Sequence, residues 1–272
     1  MLRSLWVAKT GLDTQQTQLD VITNNLANVS TTAFKRQRPV FQDLMYQQLR
    51  ASGLYQDDNS ILPIGLEAGA GARVSATQRI FSLGAMNQTS NPLDMAITGE
   101  GFFAVQNPVS KEIFYTRAGN FTLSPDPNGS GNSNITTGTG FLLLGQNDTP
   151  IQIPHTASTI MVGADGTVSV YANGKTADAI KQGQIAVYTF SNPAGMGGAS
   201  DGQYTITPAS GERLGGIPQS GGSGSILQSY VEQSNVNVAE ELVSLIAAQR
   251  AYEITAKSVT ASDQMLQKLG QL

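Results

Sequence analysis

Three glycine-containing motifs in the chain carry residue types that could support catalysis or phosphate binding. Residues 198–202 match G-x-S-x-G, the turn that presents the nucleophilic serine of α/β-hydrolases. Residues 99–104 match G-x-G-x-x-A, which opens a dinucleotide-binding helix, and residues 174–176 read Gly-Lys-Thr, as at the end of a phosphate-binding loop. Each motif indicates a site only where the surrounding sequence also fits.

None of the three motifs has the sequence context that its chemistry requires. The only histidine, His155, precedes Ser200, whereas the hydrolase order places the histidine after the serine. Residues 102–105 are apolar and favour a strand where a dinucleotide site needs a helix, and the Gly-Lys-Thr segment lacks the upstream glycine. There is no cysteine, and paired carboxylates such as Glu240 and Glu241 are typical of a helix start. We therefore expect no enzyme, and no catalytic, cofactor-binding or metal site.

The composition limits the partners in a similar way. The 272 residues suffice for one large domain or two smaller ones, and they carry only 13% charged residues and a net charge of −4. Because the chain has no general basic surface, we expect no nucleic-acid partner. Because none of the three glycine-containing motifs has the required context, we also expect no small-molecule substrate. The dense basic cluster of Lys35, Arg36 and Arg38 is interpreted as a solvated turn after a helix. Lys9 and Asp13 interrupt the apolar residues at the N-terminus, which argues against a cleaved signal peptide.

The two ends of the chain carry the same hydrophobic repeat. Apolar residues recur every seven residues in both segments. They are Leu5, Leu12, Leu19 and Leu26, joined by Ile22, at one end, and Val238, Leu245, Tyr252, Val259 and Leu266 at the other. Such a repeat places an apolar seam along one side of a helix, and the seam needs a partner. The sequence predicts terminal helices that pair with each other or with neighbouring copies; packing on the core of their own domain is the alternative.

Between the two ends, the sequence changes to short apolar runs separated by turn signals. Residues 96–225 contain hairpin and turn pairs such as Asn173-Gly174 and Asp165-Gly166, which are typical of an antiparallel sandwich or barrel. Asn237 followed by Glu240 predicts the start of a long second helix, ending near Leu269. The predicted fold class is α+β, with terminal α-helices forming a coiled-coil domain and a central, mostly antiparallel β domain inserted between them.

Three stretches of the chain carry the motifs of a known family. The first comprises residues 4–12 (SLWVAKTGL) and 24–31 (NNLANVST), the second residues 97–103 (ITGEGFF) and 115–121 (YTRAGNF), and the third residues 234–242 (SNVNVAEEL), 248–253 (AQRAYE) and 263–269 (DQMLQKL). In these stretches the chain resembles the flagellar axial proteins, which are the rod and hook proteins of the bacterial flagellum. The resemblance covers nearly the whole chain and is closest to the distal rod members.

The resemblance implies an architecture and a function. Family members place their terminal helices in an axial coiled-coil domain around a central channel, with the β domain outside. Subunits stack helically into a hollow, rigid drive shaft that transmits torque from motor to hook. The implied partners are other copies of the chain, proximal rod proteins, the hook protein, the surrounding periplasmic and outer-membrane rings, and the flagellar type III export apparatus. The implied location is the basal body, spanning periplasm to outer membrane, reached without a cleaved signal peptide.

The same resemblance gives the expected domains and packing residues. The axial domain comprises residues 1–30 with 231–272, an extended segment covers residues 31–95, and the outer β domain covers residues 96–230. The residues expected in subunit packing are Leu5, Trp6, Leu12, Leu19, Ile22, Leu26, Val238, Leu242, Leu245, Tyr252, Val259, Leu266 and Leu269. Distal rod members also resemble each other in an extra segment, here about residues 47–72, which we expect to form an arm to a neighbouring subunit.

Two departures from the family pattern carry expectations of their own. Ala33 stands where the family usually has glycine, so a positive φ at this position would strain the turn. Residues 125–140 look expanded, and we expect a surface loop there that leaves the core unchanged.

Other functions remain open on the sequence alone. A proximal rod or hook-type protein is the nearest alternative, and the segment of residues 47–72 favours the distal rod. A soluble binding module with a coiled-coil dimer would form a small, closed oligomer. A secreted carbohydrate-active protein would need two carboxylates facing one cleft, for which no spacing in the chain argues.

Overall fold

The computed structural model describes residues 2–50, 55–57, 60–61, 65–126, 131–172 and 179–269. The chain divides into two compact units. The helix–ribbon unit comprises Met1–Ala27, Gln37–Arg79 and Asn237–Leu272, and the β unit comprises Asn28–Arg36 and Ile80–Val236. Both terminal helices therefore belong to one unit, although more than 200 residues separate them in the sequence.

Two long helices frame the helix–ribbon unit. They are α1 (Leu2–Ala27) and α2 (Val238–Leu269). Asn237 caps α2, because the Ala239 N–H donates to Asn237 Oδ1 at 3.0 Å. Glu240 and Glu241 lie in the first turn of α2, where carboxylates complement the helix dipole. The predicted start, cap and length of α2 are confirmed.

A two-stranded antiparallel ribbon completes the helix–ribbon unit. Strand β1 (Gln37–Asp43) pairs with β6 (Ala72–Arg79), from Gln37 opposite Arg79 to Asp43 opposite Ala72. Farther along, β2 (Gln47–Arg50) pairs with β5 (Leu66–Ala68), and β3 (Tyr55–Asp57) pairs with β4 (Ser60–Ile61). The ribbon covers the segment predicted as an arm, of which residues 51–54, 58–59 and 62–64 lie outside the described residues.

The β unit is built of short, antiparallel strands. The strands are β7 (Met86–Gln88), β8 (Met95–Thr98), β9 (Phe102–Gln106), β10 (Ile113–Thr116), β11 (Phe121–Pro125), β12 (Asn132–Thr137), β13 (Leu142–Leu143), β14 (Gln152–Pro154), β15 (Ala157–Val162), β16 (Thr167–Ala172), β17 (Ala179–Gln184), β18 (Val187–Phe190), β19 (Gly197–Gly198), β20 (Gln203–Thr205), β21 (Arg213–Gly216), β22 (Ser225–Gln228) and β23 (Tyr230–Glu232), with a 3₁₀ turn at Pro193–Gly195. The largest sheet has the order β11-β12-β13-β9-β10-β20-β19, with β14 on β12, β18 on β9 and β21 on β18. Three further pairings form separate small sheets: β15-β16-β17, β22 with β8, and β23 with β7. The predicted α+β class with a mostly antiparallel β region is confirmed.

Strand β9 lies between two hydrophobic cores of the β unit. Phe103 and Val105 belong to one buried cluster, and Phe102 and Ala104 belong to the other. Because successive side chains of a strand point to opposite faces, a strand buried on both faces needs an uninterrupted apolar run. The run of residues 102–105 meets this requirement, so the G-x-G-x-x-A motif leads into a strand and has no dinucleotide-binding helix.

The expectation of a surface loop at residues 125–140 was wrong for most of the segment. Strand β12 occupies Asn132–Thr137 and pairs with β11, β13 and β14. Ile135 of this strand is 1% exposed and belongs to the larger core. The segment therefore adds a core strand to the sheet, while residues 127–130 lie outside the described residues. The hairpin pair Asn173-Gly174 also lies outside them, but the flanking strands β16 and β17 are antiparallel as predicted.

Ala33 adopts the left-handed backbone conformation that the family pattern suggested, with φ 56°. The residue is buried, and its N–H donates to Glu232 O at 2.8 Å. An L-residue in this conformation costs about 1–2 kcal/mol, more than the roughly 0.5–1 kcal/mol that glycine loses through its freedom in the unfolded chain. We expect Ala33→Gly to raise the free energy of unfolding by about 1 kcal/mol, measured by urea titration of the full chain.

A matched control for this prediction is Ala96→Gly. Ala96 is also buried, but it lies in strand β8 with an ordinary φ. The same change there should destabilise the protein by about 0.5–1 kcal/mol. A loss of stability in Ala33→Gly similar to that in Ala96→Gly would contradict the strained turn.

An ion pair on the β unit predicts a pH dependence of stability. Arg213 donates to both carboxylate oxygens of Asp148, at 2.8 Å and 2.7 Å. These hydrogen bonds hold the pKa of Asp148 below its ordinary value, with a smaller contribution from the Tyr188 hydroxyl. A carboxyl group with a lowered pKa stabilises the fold above its ordinary pKa, and this contribution is lost as the pH falls through the lowered value. The melting temperatures of wild type and Asp148→Asn should therefore differ near neutral pH and converge in acid; a gap that is independent of pH would contradict this.

Candidate subunit-packing surface

Helices α1 and α2 pack against each other in antiparallel orientation. A Cβ atom at Gly11 would lie 3.5 Å from Thr255 Cγ2, and Asn25 Nδ2 donates to Glu241 Oε2 at 3.3 Å. Moving two heptads forward in α1, from residue 11 to 25, thus moves the contact two heptads backward in α2, from residue 255 to 241. Buried residues follow the same heptad spacing, with Thr14 and Val21 in α1 and Glu241 and Ala248 in α2.

The residues predicted for subunit packing are distributed over several degrees of burial. Ile22 is buried, and the half-buried members are Leu5, Leu12, Leu19, Leu26, Leu245 and Val259. The exposed members are Trp6, Val238, Leu242 and Tyr252. The side chains of Leu266 and Leu269 lie outside the described residues. The role of these residues between subunits stays a prediction.

Helix α2 carries a stripe of exposed apolar side chains that the heptad pattern did not reveal. Val243, Ile254 and Met265 are 68%, 68% and 55% exposed, and they follow one another at intervals of eleven residues. Eleven residues make about three helical turns, so the three side chains lie on one face, and Ile246 lies near it. At about 100° per residue, this face is opposite to the one that contains Ala248. We call Val243, Ile246, Ile254 and Met265 the α2 stripe.

The ribbon also exposes large apolar side chains. The most exposed are Met45 at 90%, Leu49 at 60%, Leu66 at 57% and Tyr46 at 56%. The ribbon has only two strands, so each strand has one edge without a strand partner within the described residues. Isolated two-stranded ribbons are only marginally stable in water, and exposed apolar side chains usually mark a contact surface.

The β unit contains a buried charge cluster that the sequence did not predict. Glu232 Oε1 accepts hydrogen bonds from Lys35 Nζ at 2.6 Å and from the Gly84 N–H at 2.9 Å, and Glu232 Oε2 accepts one from Arg117 Nε at 3.0 Å. We call Lys35, Arg117 and Glu232 the Glu232 clamp. Their side chains are 0%, 3% and 0% exposed, so the interpretation of Lys35 as part of a solvated turn was wrong.

Backbone carbonyl groups take up the remaining donors of the clamp. Lys35 Nζ donates to Ser82 O at 2.8 Å, and Arg117 Nη2 donates to Ile97 O at 3.2 Å and to Gly99 O at 2.7 Å. Burial lowers the pKa of Lys35, and the proximity of Glu232 partly opposes this effect. The clamp joins segments of the β unit that are far apart in the sequence. A signal for it was present in the sequence, since Arg117 and Glu232 each interrupt strand-forming segments in a chain with few charges.

The residues considered for catalysis do not come together. Ser200 and His155 are both exposed, and Ser200 lies beside a turn and not between a strand and a helix. No group of three or more His, Cys, Asp or Glu residues that could hold a metal ion occurs within the described ranges. In the same part of the chain, neither helix is apolar enough over a sufficient length to cross a membrane.

Three models of known protein families match the three regions of the chain that carry the family motifs. A family model described as flagella basal body rod protein matches residues 5–35, the flagellar hook protein FlgE/F/G D1 domain matches residues 96–170, and the flagellar basal body rod FlgEFG protein C-terminal matches residues 227–272. The flagellar basal-body rod protein FlgG of Buchnera aphidicola subsp. Schizaphis graminum is 46% identical over 272 residues, which are 100% of both chains. The FlgG proteins of Borreliella burgdorferi and Bacillus subtilis are 38% and 36% identical, with at least 97% of each chain covered.

The chain belongs to the family of flagellar basal-body rod proteins, in its distal rod branch.

The regions of the chain that match rod proteins contain the α2 stripe, the ribbon and the Glu232 clamp. Lys35, Arg117 and Glu232 fall one each into the regions of the three family models. The FlgG relatives also align over the ribbon, Gln37–Arg79, which lies between the first two of these regions. The rod-family resemblance seen in the sequence is confirmed over the whole chain.

Proposed function

We propose that this protein is a structural subunit of the distal rod of the bacterial flagellar basal body. The full-length FlgG relatives support this function, and they are named as rod proteins and not as enzymes. We further propose that copies of the chain polymerise helically into a hollow, rigid shaft that transmits torque from the motor to the hook.

The α2 stripe is the main observation that supports polymerisation. Exposed Val243 and Ile254 lie opposite the face of α2 that is buried within the chain, so the helix has a second apolar face. Burying one exposed aliphatic side chain contributes roughly 1.5–3 kcal/mol, which favours association when several are buried together. We propose that this face packs on the terminal helices of neighbouring copies, in an axial coiled-coil domain that includes the thirteen residues named above.

The ribbon favours the distal rod over a proximal rod or hook-type subunit. It occupies the segment of residues 47–72 in which the distal rod resemblance was noted, and its exposed Met45 and Leu49 suit a contact with another subunit. We propose that the ribbon reaches a neighbouring copy. The remaining proposed partners are the proximal rod proteins, the hook protein, the periplasmic and outer-membrane rings and the type III export apparatus, which delivers the chain.

Electron microscopy of the purified chain tests the proposal. Full-length protein at rising concentration, seeded with isolated basal bodies, should form straight hollow filaments. A variant lacking residues 1–30 and 231–272 should remain monomeric under the same conditions, because it lacks both helices. A discrete dimer or tetramer of the full chain would instead support a soluble binding module with a paired coiled coil.

A further inference from the structure

A buried asparagine near the end of α1 connects three elements of the helix–ribbon unit. Asn25 is 1% exposed. Its Oδ1 accepts from the Gln37 N–H at 2.9 Å and its Nδ2 donates to Gln37 O at 2.9 Å, so the side-chain amide pairs with the first residue of β1. The same Nδ2 donates to Glu241 Oε2 at 3.3 Å, in the first turn of α2. Asn25 thus contacts α2 and the base of the ribbon at once.

The apolar repeats of the two helices do not by themselves define how the helices align. Sliding one helix by seven residues, or about 10.5 Å, places each leucine of α1 where the next leucine was. Leu5, Leu12, Leu19 and Leu26 are identical side chains at this spacing, so on the α1 side a slip by one heptad exchanges one leucine for another. Something other than the leucines must select one register.

The polar contact at Asn25 distinguishes these alignments. Glu241 is also 1% exposed, and only the native register places its carboxylate beside the Asn25 amide. A slip by one heptad would separate the two groups; in one direction it places Ala248 opposite Asn25, whose amide then lacks the Glu241 carboxylate, and an unsatisfied buried polar group is costly. The Gln37 hydrogen bonds add to this selection, because they hold the same end of α1 at a fixed point of the ribbon.

We propose that Asn25 is the register-determining residue of the α1–α2 pair. Polar residues at single positions of an otherwise apolar seam select register in coiled coils, at some cost in stability. Burial of apolar side chains favours the association of the helices, and Asn25 with Glu241 selects the alignment. Asn25 has this role in the helix pair within one chain, whether or not the chain polymerises.

Engineered disulfides can report the register directly, because the chain has no cysteine of its own. Gly11→Cys with Thr255→Cys reports the native alignment, since a Cβ at residue 11 lies 3.5 Å from the Thr255 side chain. Gly11→Cys with Ala248→Cys, and Gly11→Cys with Ser262→Cys, report slips of one heptad in either direction. Natively, these partners are displaced by about 10.5 Å along α2, beyond disulfide reach.

The three pairs are oxidised in the purified full-length protein, and the intrachain disulfide is quantified by non-reducing electrophoresis and mass spectrometry. With Asn25 present, the native pair should form at least about tenfold more disulfide than either slipped pair. In Asn25→Leu this ratio should fall to about twofold or less. Asn24→Leu makes the same change at the exposed neighbouring residue and should keep the native ratio.

A second variant separates register from folding. Asn25→Leu also removes the hydrogen bonds to Gln37, so it could lose helical structure. Glu241→Leu leaves the Asn25–Gln37 pairing in place and should still lower the ratio at least threefold, with an unchanged circular dichroism signal at 222 nm. The proposal is overturned if the ratio survives in both variants, or if the three pairs react equally in the presence of Asn25 and Glu241.

Discussion

Glu232→Gln is expected to lower the free energy of unfolding of the β unit by about 3–5 kcal/mol. The carboxylate is completely buried and faces two cations, Lys35 and Arg117. The neutral amide of the glutamine cannot balance the positive charge of Lys35 or Arg117. Its NH₂ group would also face an N–H donor where the carboxylate oxygen had accepted a hydrogen bond. Removing one partner from a buried ion cluster is far more damaging than breaking a surface ion pair, because the charges that remain are cut off from water. Urea unfolding followed by near-ultraviolet circular dichroism of the buried tyrosines measures the change.

Two comparison variants make this result specific. Glu212→Gln is the same chemical change at an exposed residue and should shift the free energy of unfolding by less than about 0.5 kcal/mol. Lys35→Met should cost less than Glu232→Gln, because Glu232 keeps Arg117 and the Gly84 N–H as partners and because burial already disfavours the charged lysine, as its lowered pKa indicates. A loss in Glu232→Gln no larger than that in Glu212→Gln would show that the clamp contributes little.

Ile254→Asp should abolish motility and filament growth without unfolding the subunit. Ile254 is 68% exposed in the single chain, so a carboxylate there is solvated and costs the subunit little. If the α2 stripe packs on neighbouring copies, the same carboxylate is buried without a partner in every interface of the polymer. Swimming assays and electron microscopy of basal bodies measure the assembly, and thermal unfolding of the purified chain measures the fold.

The matched control for this prediction is Gln249→Asp. Gln249 is exposed and lies on the same helix, about 140° around the axis from Ile254, so the variant introduces the same charge away from the side of the helix that Ile254 occupies. It should retain more than half of the wild-type swimming rate. A motile Ile254→Asp strain with hooks of normal number would contradict the assignment of the stripe to subunit packing.

The elements that the sequence predicted well are those in which local signals agree. Helix α2 has a capping asparagine, acidic residues in its first turn and no glycine or proline, and each of these favours the same start and length. The run of residues 102–105 predicted strand β9 because a strand buried on both faces needs four apolar residues in a row. The strained Ala33 turn followed from the family pattern, which has glycine at that position.

The parts that the sequence did not reveal depend on contacts between distant residues. Lys35 lies in a basic stretch that looks solvated, and only the approach of Glu232, almost 200 residues away, makes its burial possible. Asn25 lies in an asparagine-rich stretch near the end of α1, and nothing local indicates its pairing with Gln37 and Glu241. The heptad pattern does not predict the α2 stripe, because the stripe has an interval of eleven residues and lies on the opposite side of the same helix.

The way the ribbon is anchored has a consequence for how such subunits evolve. Gln37 and Arg79 pair at the base of the ribbon, and just beyond this base the Ile80 N–H donates to Arg36 O at 2.9 Å. The two ends of the ribbon therefore lie side by side, at one point of the subunit. Deleting or inserting equal, even numbers of residues in both strands would preserve the alternation of faces and leave that point unchanged. Ribbon length is thus a modular trait, which mutation can alter in small steps without remaking the rest of the subunit.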